Sequence, residues 1–371
     1  MKRIAIVGAG AAGLMAAKLL SSQKDMTVML FEKAKNVGTK LRASGGGKAN
    51  IYNRNIKGLH YNNEAFMNQF LQNFNVKDIE HTFAEMGLMT SVDDEGRVYP
   101  ATFFSATVID VLLNNLPSRI QFHCDCCVEK LTNKKGQWWI NEIFGPFDKV
   151  ILSSGSPANM IAKNRCGLDS YLNDFNLDRK EFRPSLVGFK IKDYPKTLSG
   201  CKAKAEVTLY QRNKPIWKER GEVQFKEDGI SGIVIMNMSA YYNRLETQSQ
   251  CSLSLDFLPD GQDFDIESYL SKYHNLAGLL HPKLNQLFIK KPFDIHHYEM
   301  KIKETYEIEF AQVCSGGISL EEINENFELK KYPGLYAIGE MLDIDGICGG
   351  YNLFFAFASA QTATNHLTKT Y

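Results

Sequence analysis

Three glycines in the order Gly8-x-Gly10-x-x-Gly13 follow the apolar run of residues 4–7, and Glu32 stands nineteen residues after the last of them. No other feature constrains the chain as strongly. Residues 4–7 read as a β-strand, 14–20 as a helix and 27–31 as a second strand closed by Glu32, which gives a βαβ unit near the usual length of about 30 residues. In such a unit Gly8 permits the tight turn, Gly10 lets a pyrophosphate approach the backbone, and Gly13 allows close helix packing. The helix N-terminus then meets phosphate oxygens, and Glu32 accepts the two hydroxyls of an adenosine ribose. A carboxylate there disfavours a 2′-phosphate, so the nucleotide is FAD or NAD rather than NADP. A glycine turn also serves packing alone; the order strand, helix, strand and terminal acid carries the nucleotide reading, and it does not separate FAD from NAD.

Two further glycine-rich segments bear on that choice. Residues 38–50 read Gly-Thr-Lys-Leu-Arg-Ala-Ser-Gly-Gly-Gly-Lys-Ala-Asn, where backbone N–H groups with Lys40 or Arg42 can face phosphate or flavin oxygens. A solvated flexible loop is the alternative. Residues 334–346 give a strand, Gly339-Glu340 and an acidic turn, and lead through Gly349-Gly350 to Tyr351-Asn352-Leu353. That order offers acceptors for a ribityl chain and a helix N-terminus for the pyrimidine edge of a flavin, where reduction places negative charge.

The rest of the chain organises around these motifs. Two short helices are expected over 64–86 with Asn75 as a cap, a turn at 93–96 and a helix over 105–113. Strand-like runs follow at 120–123, 126–131, 138–143 and 150–152. Residues 205–210 and 233–238 read as antiparallel strands and 266–288 as helix; 335–338 return to parallel-strand style before a helix over 351–367.

Composition excludes several classes. With 371 residues, 43 Lys+Arg against 42 Asp+Glu and 44% hydrophobic residues, the chain has neither the basic excess of a nucleic-acid binder nor the depletion of a disordered protein. Lys2, Arg3 and the small-residue run behind them resemble a signal peptide, but the glycine spacing explains that run as mature structure. The segment between Asp345 and Lys369 lacks charged residues for 23 positions yet is too polar for a membrane span. Eight cysteines, with Cys124, Cys126 and Cys127 crowded together, suit reduced thiols and a cytoplasmic location better than a disulfide framework. Neither a nucleic-acid nor a membrane partner is expected, and monomer and homodimer stay equally open.

The sequence resembles the HI0933-like, YhiN-like or BaiN-like NAD(P)/FAD-dependent oxidoreductases. The resemblance rests on the 38–50 loop, Gly-Arg-Val-Tyr-Pro at 96–100, Arg-Pro-Ser-Leu-Val at 183–187, Gly-Ile-Ser-Gly at 229–232, Ala-Gln-Val-Cys-Ser-Gly-Gly-Ile at 311–318 and residues 343–353. It implies an α/β fold: a glutathione-reductase-like Rossmann FAD domain from both chain ends (1–187 and 316–371), an inserted antiparallel β-barrel-like domain (188–255 and 293–315) and a small helical subdomain (256–292). It further implies tightly bound FAD held by Gly8, Gly10, Ala12, Gly13, Glu32, Lys33, Lys40, Ser44, Gly45, Gly46, Asn50, Val128, Ser154, Gly155, Gly339, Glu340, Asp345, Gly350, Tyr351, Asn352 and Leu353. Members are linked to reduction of steroid-type enones and to oxidation of small amines such as aminoacetone. The chain departs from the family at Lys48-Ala49-Asn50, where Arg-Cys-Asn is usual, at Ser153-Ser154-Gly155-Ser156, and in a shorter 256–292 stretch.

The expected activity is hydride transfer between flavin and a small organic substrate in a pocket between the FAD domain and the inserted β unit. An NAD(P)H-dependent enone reductase leads, with an oxygen-using amine oxidase beside it. A tRNA-modifying flavoprotein and a catalytically silent flavin binder come from other classes. Only one full fingerprint is visible, so NAD(P)H is expected as a transient co-substrate at the flavin face. Tyr351, His297, Tyr298 and Glu340 are the acid–base candidates. The Cys-x-x-Cys spacing of Cys124 and Cys127 invites a dithiol reading, against which stand structural thiols ahead of Val128; Cys314 and Cys348 read as small buried residues. His296-His297 lacks the companions of a metal site, and none is expected.

Overall fold

The computed structural model describes residues 1–158, 170–261 and 263–369. Tertiary contacts divide the chain into two units, Met1–Phe182 with Val313–Tyr371, and Arg183–Gln312.

The first unit is built on a five-stranded parallel sheet of β1 (Lys2–Val7), β2 (Met26–Phe31), β3 (Ile120–His123), β4 (Lys149–Leu152) and β5 (Leu335–Ala337), in the spatial order β5-β4-β1-β2-β3. Residues 4–7 and 150–152 are buried on both faces, which explains why they read as unbroken apolar runs. One face meets a three-stranded antiparallel sheet over Leu131–Lys134, Gln137–Ile140 and Phe144–Phe147, whose Phe144 and Phe147 rings stand 5.1 and 6.1 Å from Phe31. Helix α1 (Ala11–Leu20) packs against the C-terminal helix α2 (Tyr351–Lys369). Ala12, Ala16, Ala356 and Ala360 are buried there, and such small side chains allow close helix approach. A strand of the C-terminal segment therefore completes a sheet begun at the N-terminus.

Local signals set several elements as expected. Helices occupy Glu64–Asn73 and Val76–Glu85, and Asn75 caps the second through its side chain while Asp78 bonds back to the Asn75 N–H. Ser105–Leu113 is helical. Three expectations fail. Residues 126–130 carry no strand, since the left-handed Asp125 (φ 51°) turns the backbone and pairing begins only at Leu131. Residues 233–238 belong to the helix Ile233–Tyr242; its β-branched run mimics a strand because the helix is apolar almost all round. Residues 266–288 split into Ile266–Tyr273 and Pro282–Lys290, broken by the left-handed His274 and restarted by Pro282 in its first turn.

In the second unit six antiparallel strands close a barrel. Lys202–Gln211 pairs with Lys214–Phe225 and with Cys251–Asp256, while Phe189–Ile191 joins Gly229–Ser231 to Tyr298–Thr305. Leu276, Leu280 and Leu284 of the helical stretch belong to the same buried cluster as barrel residues Val207, Leu209 and Leu253. Among the described residues no helix is long and apolar enough to cross a membrane.

Candidate dinucleotide site

At the C-terminal edge of the parallel sheet, β1 turns sharply into α1. Gly8 has φ 101°, and a Cβ on it would lie 2.4 Å from the Ser153 carbonyl oxygen; one on Gly13 would lie 1.9 Å from the Gly8 carbonyl oxygen. Only glycine fits at either position. Gly10 is different. An added Cβ there meets nothing within 4 Å, and Gly10 caps α1 without any side-chain hydrogen bond. The helix thus begins on open space with amide donors available to an anion. Ser153 Oγ holds the turn from beneath, within 2.9 Å of the Val7 oxygen and 2.8 Å of the Gly8 oxygen.

Glu32 ends β2 as the fingerprint requires. Its two oxygens accept the Ala9 N–H at 2.8 Å and the Ala34 N–H at 2.9 Å, so the carboxylate ties the glycine turn to the second strand before any ribose is considered. Beside it, burial lowers the pKa of Lys33 and the Glu32 charge partly restores it. Val128 is buried in the irregular 124–130 stretch, where Asn141 accepts the Glu129 and Lys130 N–H groups and donates to the Cys127 oxygen.

The triple-glycine loop runs through Gly45, Gly46 and Gly47 at φ 58°, 65° and 87°, and Ala49 also lies at φ 53°. Successive left-handed residues turn amides toward one side, and an added Cβ at Gly46 or Gly47 meets nothing. Ser44 Oγ donates to the Leu41 oxygen at 2.7 Å. Lys40, expected to face phosphate or flavin oxygens, forms an ion pair with Glu340 and lies 3.2 Å from Ser156 Oγ, which itself donates to Glu340 at 3.1 Å. Cys314 belongs to the same cluster: burial pushes its thiol up to about 11, Lys40 and Ser156 oppose that, and Glu340 adds to it.

A second cradle forms where β5 leads into α2. The Gly339 N–H donates to Ser359 Oγ at 3.1 Å. Asp345 is buried; its N–H donates to Asn62 Oδ1 at 3.0 Å and its carbonyl accepts the Asn62 N–H at 3.0 Å. Asn352 closes a ring with Gly346, accepting its N–H at 2.8 Å and donating to its oxygen at 2.9 Å. Asn50 faces Gly350, where an added Cβ would come within 2.7 Å of the Tyr52 oxygen. Ser154 pairs with Tyr171 at 2.8 Å, and an added Cβ at Gly155 meets nothing. Several partners here, among them Ser156, Tyr61, Asn62 and Asn53 (Nδ2 to the Gly349 oxygen, 3.1 Å), carry no local sequence signal, since Tyr61 Oη reaches the Tyr351 carbonyl across 290 residues.

The acid–base candidates are divided between the two units. Tyr351 and Glu340 lie in the first unit. His297 and Tyr298 lie in the second, where Ser254 holds His297 Nδ1 at 2.8 Å and Tyr298 packs on Phe293 with rings 4.5 Å apart. His296 pairs with Asp256, and no group of three or more His, Cys, Asp or Glu side chains gathers as a metal site among the described residues. Cys124, Cys126, Cys201, Cys251, Cys314 and Cys348 are free thiols. Cys127 is disulfide-bonded, and not to Cys124, so the expectation of reduced thiols fails at that position. Cys166 lies outside the described residues.

The residues present fit a dinucleotide. Gly10, Gly46, Gly47 and Gly155 keep open space beside the backbone where an extended, phosphate-bearing ligand needs close approach, whereas Gly8 and Gly13 are filled by the protein itself. The pattern of the HI0933-like protein Rossmann domain matches residues 2–193 and 283–366, and that of the HI0933-like protein barrel and H2TH domain matches 183–314. The chain belongs to the HI0933-like family. It is 28% identical to the 3-dehydro-bile acid delta(4,6)-reductase of Clostridium scindens, with 98% of each chain covered. Similarity at 25% to the ribosomal RNA dihydrouridine synthase of Haemophilus influenzae covers 98% of both chains, and at 23% to that of Escherichia coli covers 98% of this chain and 97% of the other. The fold is shared with the 3-ketosteroid delta1-dehydrogenase of Sterolibacterium denitrificans, solved with 1,4-androstadiene-3,17-dione, at a TM-score of 0.50, 12% identity and full coverage of both chains. Family, fold and cradle together place the chain among the FAD-dependent oxidoreductases.

Proposed function

We propose that this protein reduces a carbon–carbon double bond conjugated to a carbonyl in a small organic molecule, with resident FAD and a nicotinamide as electron donor. The observation that carries the cofactor part is the open space left beside the backbone at Gly10, where α1 starts, and at Gly46 and Gly155, whose loops are joined through Lys40 and Ser156. Gly8, Gly10, Ala12 and Gly13 would take the pyrophosphate, Glu32 and Lys33 the adenosine ribose and Val128 the adenine side. Lys40, Ser44, Gly45, Gly46, Asn50, Ser154, Gly155, Gly339, Glu340, Asp345, Gly350, Tyr351, Asn352 and Leu353 would take the ribityl and ring end. When bound, FAD supplies two-electron hydride chemistry. The chain contributes fixed amide donors, a helix N-terminus and a hydrogen-bonded frame that needs no rearrangement as charge develops.

The substrate class draws support from the relatives. A 3-dehydro bile acid with Δ4,6 unsaturation and a uridine ring both present a double bond conjugated to a carbonyl, so one chemistry spans both activities. RNA modification is the second reading, favoured by the two dihydrouridine synthases, yet 43 basic against 42 acidic residues give little general attraction for a phosphate backbone. The deciding experiment is an anaerobic absorption spectrum of the FAD-loaded protein, before and after NADH or NADPH, then after an enone or a uridine-bearing ribosomal RNA fragment. Bleaching by nicotinamide with recovery on the enone supports the reading; recovery on RNA alone moves the substrate to RNA. Bleaching only by an amine, with recovery in air, makes the protein an oxidase.

A further inference from the structure

A histidine that no sequence motif marks lies against the start of α2. The rings of His60 and Tyr351 are 4.4 Å apart and tilted by 41°. Tyr351 is boxed on its other sides: the Tyr61 ring meets it edge-on at 6.1 Å, an added Cβ at Gly346 would lie 2.8 Å from its Cβ, and one at Gly349 would lie 2.9 Å from its Cε2. The phenol therefore has little rotational freedom.

The segment that brings His60 there is tied down along its length. The Ile347 N–H donates to the His60 oxygen at 2.9 Å, Tyr61 bridges to Gly346, Asn62 exchanges backbone and side-chain bonds with Asp345, and Tyr61 Oη donates to the Tyr351 carbonyl at 2.9 Å. His60 Nδ1 accepts the Lys57 N–H at 3.1 Å, so the uncharged ring carries its proton on Nε2. Burial and the nearby Lys57 charge both oppose protonation of the ring. Burial likewise raises the pKa of Tyr351, with Arg97 acting in the opposite sense. Two uncharged donors, an imidazole N–H and a phenol O–H, thus stand together beside Gly349-Gly350, the segment read above as the flavin-ring end.

We infer that His60 and Tyr351 form the proton-donating pair of the reduction, Tyr351 Oη supplying the proton and His60 Nε2–H holding the carbonyl oxygen. The inference rests on the reading given under Proposed function. The conjugated double bond gains a hydride at its β carbon from a dihydroflavin-class reductant. The electron pair moves onto the carbonyl oxygen, where the His60 N–H stabilises it. The α carbon then takes the proton of Tyr351 Oη, restoring the carbonyl. The tyrosinate, with Arg97 as the nearby cation, recovers its proton from water. Bond order falls by one at the substrate, and one hydride and one proton enter.

The test is single-turnover reoxidation of dithionite-reduced, FAD-loaded protein by 2-cyclohexen-1-one and by a Δ4-3-ketosteroid, followed at the flavin band. Expected for Tyr351→Phe is a fall of about 100-fold in reoxidation by enone relative to reoxidation by oxygen, both read on the same FAD-saturated variant so that any change in cofactor affinity cancels. A variant within about threefold of wild type overturns the inference while the reduction reading stands. Wild type that no enone reoxidises, yet oxygen does, sinks the reading and the inference together. Should Tyr351→Phe not retain FAD, the decision passes to His60. His60→Gln keeps an N–H donor and is expected within about tenfold of wild type, whereas His60→Leu falls about 100-fold; equal rates for the two overturn the pair.

Discussion

Lys40 and Glu340 stand 300 residues apart in the chain and meet as an ion pair, with Ser156 within hydrogen-bond reach of both. The contact fastens the triple-glycine loop to the end of β5. Removing one partner leaves the other partly buried and unmatched, a larger effect than losing an exposed surface pair. Lys40→Met and Glu340→Gln are each expected to lower the stability of the FAD-free protein by about 1 kcal/mol, and the double variant by less than the sum. Denaturant titrations of the four proteins check this; strict additivity would remove the coupling.

Gly10 and Gly13 predict opposite behaviours for the same substitution. An added Cβ at Gly13 collides with the Gly8 carbonyl, so Gly13→Ala is expected to destabilise the fold itself. At Gly10 the Cβ meets only space, and the residue sits at an ordinary φ of −79°. Gly10→Ala should leave FAD-free stability within about 0.5 kcal/mol of wild type and weaken FAD about tenfold or more, because the methyl occupies cofactor space. Melting curves with and without FAD separate the two effects.

The acidic range should expose Glu219. This carboxyl is half-buried against the helix Ile233–Tyr242; burial raises its pKa, and the Asn237 amide, donating to both oxygens at 3.0 and 3.2 Å, works the other way. A folded pKa above the unfolded value means the fold prefers the protonated acid. Its contribution is fully present below the unfolded pKa of about 4.3 and is lost as pH rises through the folded value. Glu219→Gln is therefore expected to melt higher than wild type at neutral pH, with the advantage shrinking on acidification. A variant that melts lower at neutral pH would refute the assignment.

Thiol chemistry gives a fourth check. Cys124 is raised by burial and by the Glu32 and Asp125 charges, Cys126 by burial, and Cys314 stands at about 11. All three are held as thiols at neutral pH, where thiolate is the reactive form. Iodoacetamide at pH 7.5 is expected to leave Cys314 unmodified in the folded protein and to leave FAD binding unaltered. Rapid alkylation of Cys314, read by mass spectrometry, would contradict the buried cluster.

The sequence carried much of the first unit because its signals are local. The glycine spacing reflects contacts within one turn, as the 1.9 Å approach at Gly13 shows, and Asn75 and Asp78 cap a helix three residues apart. The parts that stayed hidden depend on remote partners or on burial. Residues 233–238 look like a strand because the helix opens on three consecutive β-branched residues, Ile233, Val234 and Ile235, and is otherwise largely apolar. Nothing near Lys40 in the sequence announces that Glu340 folds against it. His60 gives no signal at all, since its meaning lies in a tyrosine 291 positions further on, reached through Tyr61 and Asn62.

The order of the parallel sheet also bears on biogenesis. Arg183–Gln312 is one continuous segment, and all its strand partners emerge from the ribosome together. The first unit has no such advantage. Until residues 335–337 are synthesised, β4 presents an unpaired edge, and α1 lacks the helix that covers it. The nascent chain therefore carries an adhesive, half-finished sheet through the translation of the whole inserted unit. The part of the chain that stays unfinished longest is the one read above as the nucleotide cradle.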